Sequence, residues 1–282
     1  MYYFIINPAA GNGMVIPLMN RLKQQLQHKE ILGEIAKTTS KGDAVHLARI
    51  AVKKGYSTII AVGGDSTVHE VLNGITGAGV VLGIIPTGVN NFLAKRLGIS
   101  MNWKESIDNI SSRRVVSIDI GRILELKTYF FLSACVGDPV NKDKNKFKLF
   151  KRNTYKNIFK NIPFNSEFVI DRSYRVNSRV VNISAVNAGF SKDIIPMGAK
   201  FNVQDKLLDF VIISYDGKSK NILGVNKNIF ENISRIKGRE IHIESAIRKD
   251  VYADGQLVGK TPVTFSIAPF SQKVIVGAFS NS

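Results

Sequence analysis

Apolar residues in the first 118 positions come in two rhythms. Short unbroken runs, YYFIIN at 2–7, STIIAV at 57–62 and VVLGIIP at 80–86, read as buried strands. Between them Val15, Leu18, Met19, Leu22 and Leu26, then Leu47, Ala48, Ala51 and Val52, then Val68, Val71, Leu72 and Ile75 recur every three or four residues and read as helix faces. Strand, helix and strand at this spacing predict βαβ units and a parallel sheet over residues 1–118. From about Arg114 the runs become rich in β-branched and aromatic residues: RVVSIDI, YFFLSACV, RVVNISAV, LDFVIISY, EIHIE, VTFSIA and KVIVGAF. Few helical stretches separate them. They predict a second domain, 119–282, as an antiparallel β-sandwich or barrel, with the last residues able to return to the first domain.

A chain of 282 residues with 44% apolar content can bury two cores without covalent staples. The single cysteine, Cys135, excludes an intramolecular disulfide and a cysteine-rich metal site, fits a reducing compartment, and is expected to be a small buried apolar residue. The opening MYYFIINPAAG has no basic leader and is not expected to be a signal peptide. No apolar run approaches the ~18 residues of a membrane span. A formal net charge of +17 predicts an anionic partner. Residues 142–160 concentrate this charge, with eight basic residues against Asp143 and with Phe147, Phe150, Tyr155, Ile158 and Phe159 interleaved. Such a segment suits a solvated helix or loop, or docking on an anionic membrane surface. No nucleic-acid module is recognisable, so nucleic acid is not expected as a partner.

The strongest chemical signal is AVGGDSTVHEVLNG at 61–74, between a strand and a helix. Gly63 and Gly64 allow a tight turn and close approach of a ligand, and the helix N-terminus that follows attracts phosphate. Asp65 adds a carboxylate suited to the Mg²⁺ of a nucleotide. Thr67 and Glu70 also spell a capping box, which would need no ligand. Asn7, Pro8, Ala9, Ala10 and Gly11 after the first strand, and Pro86 to Phe92 after another, supply two more loops at strand ends of one sheet, where open α/β domains bind ligands.

Taken in order, NPAAG, Thr38 ahead of KGDA, GGDSTVHEVLNG and PTGVNNF resemble the nucleotide-binding half of the diacylglycerol kinase catalytic family, which includes bacterial soluble lipid kinases and the sphingosine kinases. SIDIG at 117–121, VNAGFSKDIIPMGAKFNVQDKLLDFVII and the DGQ of Asp254 to Gln256 extend the resemblance through the second half. It implies a Rossmann-like α/β domain of the NAD kinase and diacylglycerol kinase type followed by a β-sandwich domain. It also implies an ATP-dependent lipid kinase that phosphorylates diacylglycerol or a related lipid alcohol in a cleft between domains, cytoplasmic and peripheral to membrane. The partner would be a lipid substrate at an anionic membrane surface, with a homodimer as one option for assembly. The nucleotide would lie on Asn7 to Gly11, Thr38, Gly63, Gly64, Asp65, Ser66, Thr67, Glu70, Thr87 and Asn90. Asp65, Asp254 and Gln256 occupy the catalytic positions, and a structural Mg²⁺ would be held by Asp205 with Asn202 and the Leu207 carbonyl.

Four positions depart from the family pattern. Ser66 replaces a glycine, Gly88-Val89-Asn90-Asn91 is shorter than the usual G-T-x-N-D and lacks its threonine and acid, Gln256 replaces a glutamate, and Lys206 replaces a glycine. Gln256 cannot accept a proton at neutral pH, which leaves Asp254 as the candidate base. Two other readings therefore stand beside the lipid kinase: a weakened family member that binds nucleotide and membrane as a regulator, and a soluble-substrate kinase of the NAD kinase type.

Overall fold

The computed structural model describes residues 1–13, 15–137, 162–188, 202–215 and 233–277. The basic stretch 142–160 and positions 189–201 of the second-half resemblance lie outside the described residues. The chain divides into two compact units, Met1–Ile118 with Phe270–Ser282, and Asp119–Pro269.

The first unit is built on parallel strands in the order β2 (Gly33–Lys37), β1 (Tyr2–Ile6), β3 (Thr58–Gly63) and β4 (Val81–Pro86). Residues Lys273 and Val274 add a further parallel segment beside Val81 and Leu82, and Gln272 Nε2 donates to the Val80 carbonyl at 2.8 Å. Central parallel strands are covered on both faces, which explains why β1, β3 and β4 are nearly continuous apolar runs. Strand β2, GEIAK, carries a charge near each end and pairs only with β1 among the described residues, so no apolar run announces it. Glu34 on β2 holds Lys54 at 2.7 Å and accepts from the Tyr56 hydroxyl at 3.0 Å.

Helices α1 (Val15–His28), α2 (Asp43–Lys53) and α3 (Asp65–Ile75) fall where the periodicity predicts them. A short α4 (Phe92–Arg96) and α5 (Trp103–Ser112) are additional. Phe4, Ile6, Val15, Leu22, Leu26, Ile60, Val62, Ile107 and Ile110 close the core. Gly74, inside α3, lets that helix sit against α2: a Cβ there would meet the Ala48 Cβ at 2.5 Å and the Val45 carbonyl oxygen at 2.7 Å.

The second unit is antiparallel. Its strands are the end of β5 (Val115–Ile123), then β6 (Thr128–Phe130), β7 (Ser133–Val136), β8 (Phe164–Ile170), β9 (Tyr174–Val186), β10 (Leu208–Ser214), β11 (Ile233–Gly238), β12 (Glu240–Ser245), β13 (Asp250–Ala253), β14 (Gln256–Lys260) and the first part of β15 (Val263–Ile275). The ladders branch at β9. Its first half pairs with β8, and its buried second half has β7 on one side and β10 on the other. Phe130, Phe164, Phe168, Val180, Ile183, Phe210, Ile241, Ile243 and Phe265 converge on one apolar core, and Cys135 is buried in β7.

Two runs parse differently from the sequence reading. YFFLSACV is two strands, because the chain leaves the ladder at Phe131 and Leu132, and VTFSIA with KVIVGAF forms the single strand β15.

Candidate functional site

At the carboxyl ends of the parallel strands of the first unit, three loops interlock. Asn7 organises the first. Its Oδ1 accepts from the Ala9 N–H at 3.0 Å, closing an Asx turn over Pro8, and its Nδ2 donates to Thr67 Oγ1 at 3.0 Å. Ala10 continues into a 3₁₀ turn, and Gly11 takes a positive φ of 61°. Thr38, just past β2, donates its N–H to the Ile6 carbonyl and so lies beside this loop.

Helix α3 starts at Asp65 with Gly64 as its N-cap, so the first turn receives no capping side chain. This corrects the capping-box reading. Thr67 sits inside the first turn and accepts from Asn7. Glu70 reaches away to α2, accepting from the Gly42 and Ala44 N–H groups at 3.0 and 3.3 Å. The cause is local, since α2 also begins on a glycine, Gly42, whose left-handed backbone brings no capping oxygen. Ser66 lies within the helical first turn, where the glycine usual in the family is not required.

The third loop is locked to the second by backbone contact. A Cβ on Gly64 would come within 3.1 Å of the Gly88 Cα, and one on Gly88 would overlap the Gly64 Cα. Thr87 donates its N–H to the Gly63 carbonyl at 3.0 Å, and Leu93 donates its N–H to Asp65 Oδ1 at 3.3 Å. Asn90, expected on the nucleotide, is half-buried, and the amide that shapes the loop belongs to its neighbour Asn91. Asn91 is buried in the left-handed region, accepts from the Gly88 N–H at 3.0 Å and donates to the Gly88 carbonyl at 2.7 Å. A carboxylate could not make that second bond, which accounts for an amide where the family pattern ends in an acid. The Thr87 hydroxyl is buried without a hydrogen-bond partner among the described residues, a state that costs free energy unless a ligand satisfies it.

Asp254 and Gln256 lie in the second unit. Asp254 (φ 46°) and Gly255 (φ 77°) form the two-residue turn between β13 and β14, with Ala253 opposite Gln256. The Asp254 carboxylate accepts three successive backbone N–H groups, from Phe131 at 2.9 Å, Leu132 at 2.7 Å and Ser133 at 3.2 Å. Asn187 holds the same loop, its Nδ2 donating to the Asp119 and Phe131 carbonyls at 2.7 and 2.8 Å. Asp254 therefore anchors the break between β6 and β7.

Asn202, Asp205 and Leu207 share one loop. Asn202 Oδ1 accepts from Gln204 N–H and Asp205 Oδ1 from Leu207 N–H, at 3.0 and 3.1 Å. Asp205 Oδ2 holds Lys237 Nζ at 2.7 Å, and this bond pushes the Lys237 pKa up. Lys206 fills its left-handed position (φ 57°) without glycine. Its N–H and Nζ both bind the buried Asp119, each at 2.8 Å. No group of three or more His, Cys, Asp or Glu side chains suited to a metal occurs among the described residues. The sequence pointed to Asn202 and Asp205 but gave no signal for Lys237, whose role depends on a strand 32 residues away.

Among the described residues no helix is long and apolar enough to cross a membrane. A diacylglycerol kinase of Mycobacterium tuberculosis is 25% identical over 298 residues, covering 96% of this chain and 93% of its own. The crystal structure of a diacylglycerol kinase from Bacillus anthracis str. Sterne matches with a TM-score of 0.75 at 22% identity, over 98% of this chain and 96% of that one. An NAD kinase from Archaeoglobus fulgidus, solved in complex with ATP, matches with a TM-score of 0.56 at 14% identity, over 98% of this chain and 93% of that one. Both structures share the fold, an N-terminal α/β domain with a C-terminal β domain. Residues 1–123, which hold the three interlocked loops, match the model of the diacylglycerol kinase catalytic domain.

Proposed function

We propose that the chain is an ATP-dependent lipid kinase that transfers the γ-phosphoryl group of ATP to the hydroxyl of diacylglycerol or a related long-chain lipid alcohol. One observation carries the reading: the Gly64–Gly88 contact presents the uncapped first turn of α3 and the buried Thr87 hydroxyl at the ends of parallel strands. Helix N-termini of this kind bind phosphate through backbone N–H groups and the helix dipole. The Archaeoglobus neighbour bound to ATP supports a nucleotide as the ligand. Asn7 to Gly11, Thr38 and Thr87 would position it, and Asp65 would meet its Mg²⁺, which neutralises charge on the phosphates.

In the transfer the lipid hydroxyl oxygen bonds to the γ-phosphorus, the bond from that phosphorus to the β–γ bridging oxygen breaks, and ADP leaves. The hydroxyl proton passes to a base, for which Asp254 is the candidate, since the Gln256 amide accepts none at neutral pH. The net charge of +17 favours work at an anionic membrane surface.

Purified protein incubated with γ-labelled ATP, Mg²⁺ and mixed micelles of diacylglycerol should move label into the organic phase. Label that appears only on a soluble acceptor such as NAD would favour the NAD kinase reading. Nucleotide binding without any transfer would favour the regulatory one. Association with anionic vesicles should fall steeply as salt rises past physiological strength, where screening acts within about 8 Å; co-sedimentation indifferent to salt would remove the membrane role.

A further inference from the structure

The family resemblance implies a Mg²⁺ in the loop of Asn202 to Leu207, and the donors present there do not fit one. Mg²⁺ demands a near-octahedral shell of oxygens at about 2.0–2.1 Å. The loop offers a single carboxylate, Asp205, with one oxygen accepting Leu207 N–H and the other holding Lys237 Nζ at 2.7 Å. The Asn202 oxygen already accepts from Gln204 N–H.

Charge tells the same story. Among the described residues three acids of this region, Asp119, Asp205 and Asp209, are ion-paired, with Lys206 Nζ at 2.8 Å, Lys237 Nζ at 2.7 Å and Arg235 Nε at 2.8 Å. Arg235 and Lys237 stand two residues apart on β11 and so share one face of the strand, opposite Val211 and Asp209 of β10. A divalent cation added here would bring two more positive charges to carboxylates that already face cations. Lys206, moreover, sits where the family pattern has a glycine. Its left-handed backbone places both its N–H and its ammonium on Asp119, which is only 2% exposed.

We propose that in this chain the ammonium groups of Lys206 and Lys237 take the place of the structural divalent ion, so that the second unit is held together without Mg²⁺. A lysine ammonium is a compact point charge on a long stem and can stand close to a carboxylate in this way. The inference is independent of the kinase reading, because its test uses no nucleotide and no lipid.

Nucleotide-free protein stripped with EDTA is melted with and without millimolar Mg²⁺, alongside Asp205→Asn and Lys237→Gln. The wild type should show no rise in Tm, and Lys237→Gln should gain a Mg²⁺-dependent rise, because its loop now carries an unmatched carboxylate. Stabilisation of the wild type by Mg²⁺ that disappears in Asp205→Asn would overturn the proposal. A wild-type rise that persists in Asp205→Asn belongs to another site and leaves it standing. If Lys237→Gln folds and ignores Mg²⁺, the lysine does not stand in for an ion and the proposal falls. If that variant does not fold, Lys206→Gln is read by the same criterion.

Discussion

The two units treat polar groups in opposite ways. In the first, the loops at the strand ends are shaped by glycine backbone and by the amides of Asn7 and Asn91, and the first turn of α3 carries no capping side chain. In the second, carboxylates are saturated: Asp254 by three N–H groups, Asp119 by Lys206, Asp205 by Lys237 and Asp209 by Arg235. A loop that is to admit an anion would gain from a glycine N-cap, which brings no side-chain oxygen to the first-turn N–H groups; the acid of that turn, Asp65, accepts from Leu93 N–H. A loop that must only hold its shape gains from charge-assisted bonds, which are shorter and stronger. Family motifs can thus fall on a glycine-shaped loop cluster in one unit and on a tie between strands in the other.

Asp254 offers the sharpest test of this contrast, because it is the proposed base while its bonds make it an anchor. Asp254→Asn should lower turnover by roughly 10²- to 10⁴-fold if it is the base. It should also lower stability by about 1–3 kcal/mol, because the amide nitrogen turns a donor toward one of the three N–H groups. A fall in Tm with turnover unchanged would make it an anchor only, and Gln256→Glu should in either case leave Tm unchanged. In the first unit Gly88→Val should cut nucleotide affinity or turnover by about 10²-fold, since a side chain there drives the two loops apart by an ångström or more. Calorimetry showing unchanged ATP affinity would break the cradle reading.

Asp65→Asn should cost about tenfold in turnover, equivalent to about 1.4 kcal/mol, at unchanged Tm. The amide oxygen can still accept from Leu93 N–H. Wild-type kinetics in this variant would place the metal contact elsewhere.

The smallest effect concerns Glu34. Hydrogen bonds from Lys54, and then from Tyr56, hold its carboxyl below the usual 4.5, while Glu34 in turn raises Lys54 and Tyr56. A lowered carboxyl stabilises the fold above its unfolded pKa and loses that contribution as pH falls through the folded value. The raised Lys54 and Tyr56 contribute below their ordinary values and lose this as pH rises through the folded ones. Glu34→Gln should therefore lower Tm slightly at pH 7, with the difference closing below about pH 4 and again above about pH 10. A difference that is constant from pH 3 to 9 would exclude the ion-pair origin.

Much of the fold was legible because burial writes itself into local pattern. The runs at β1, β3 and β4 and the three helical faces mark elements covered by a core. The edge strand β2 and the five-residue α4 bury too little to leave such a trace. The break in YFFLSACV was hidden, because its cause is Asp254, more than 120 residues away. Of the candidate site, the glycines and Asn7 stood out as motif. Asn91, Asn187 and Lys237 did not, since each acts through a partner in another element or through a backbone conformation.

By itself the sequence determined the alternation that makes the parallel unit, the β-rich second half, and the match of the first 123 residues to the diacylglycerol kinase catalytic domain. These follow from periodicity and short motifs, which are properties of neighbouring residues. Only the tertiary structure decided that Glu70 caps α2 rather than α3, that Gly64 and Gly88 touch, that Lys206 stands on Asp119, and that Lys237 stands on the acid where a metal was expected. Hydrogen bonds and ion pairs act over about 3 Å between groups dozens of residues apart, and which groups come that close is settled by packing.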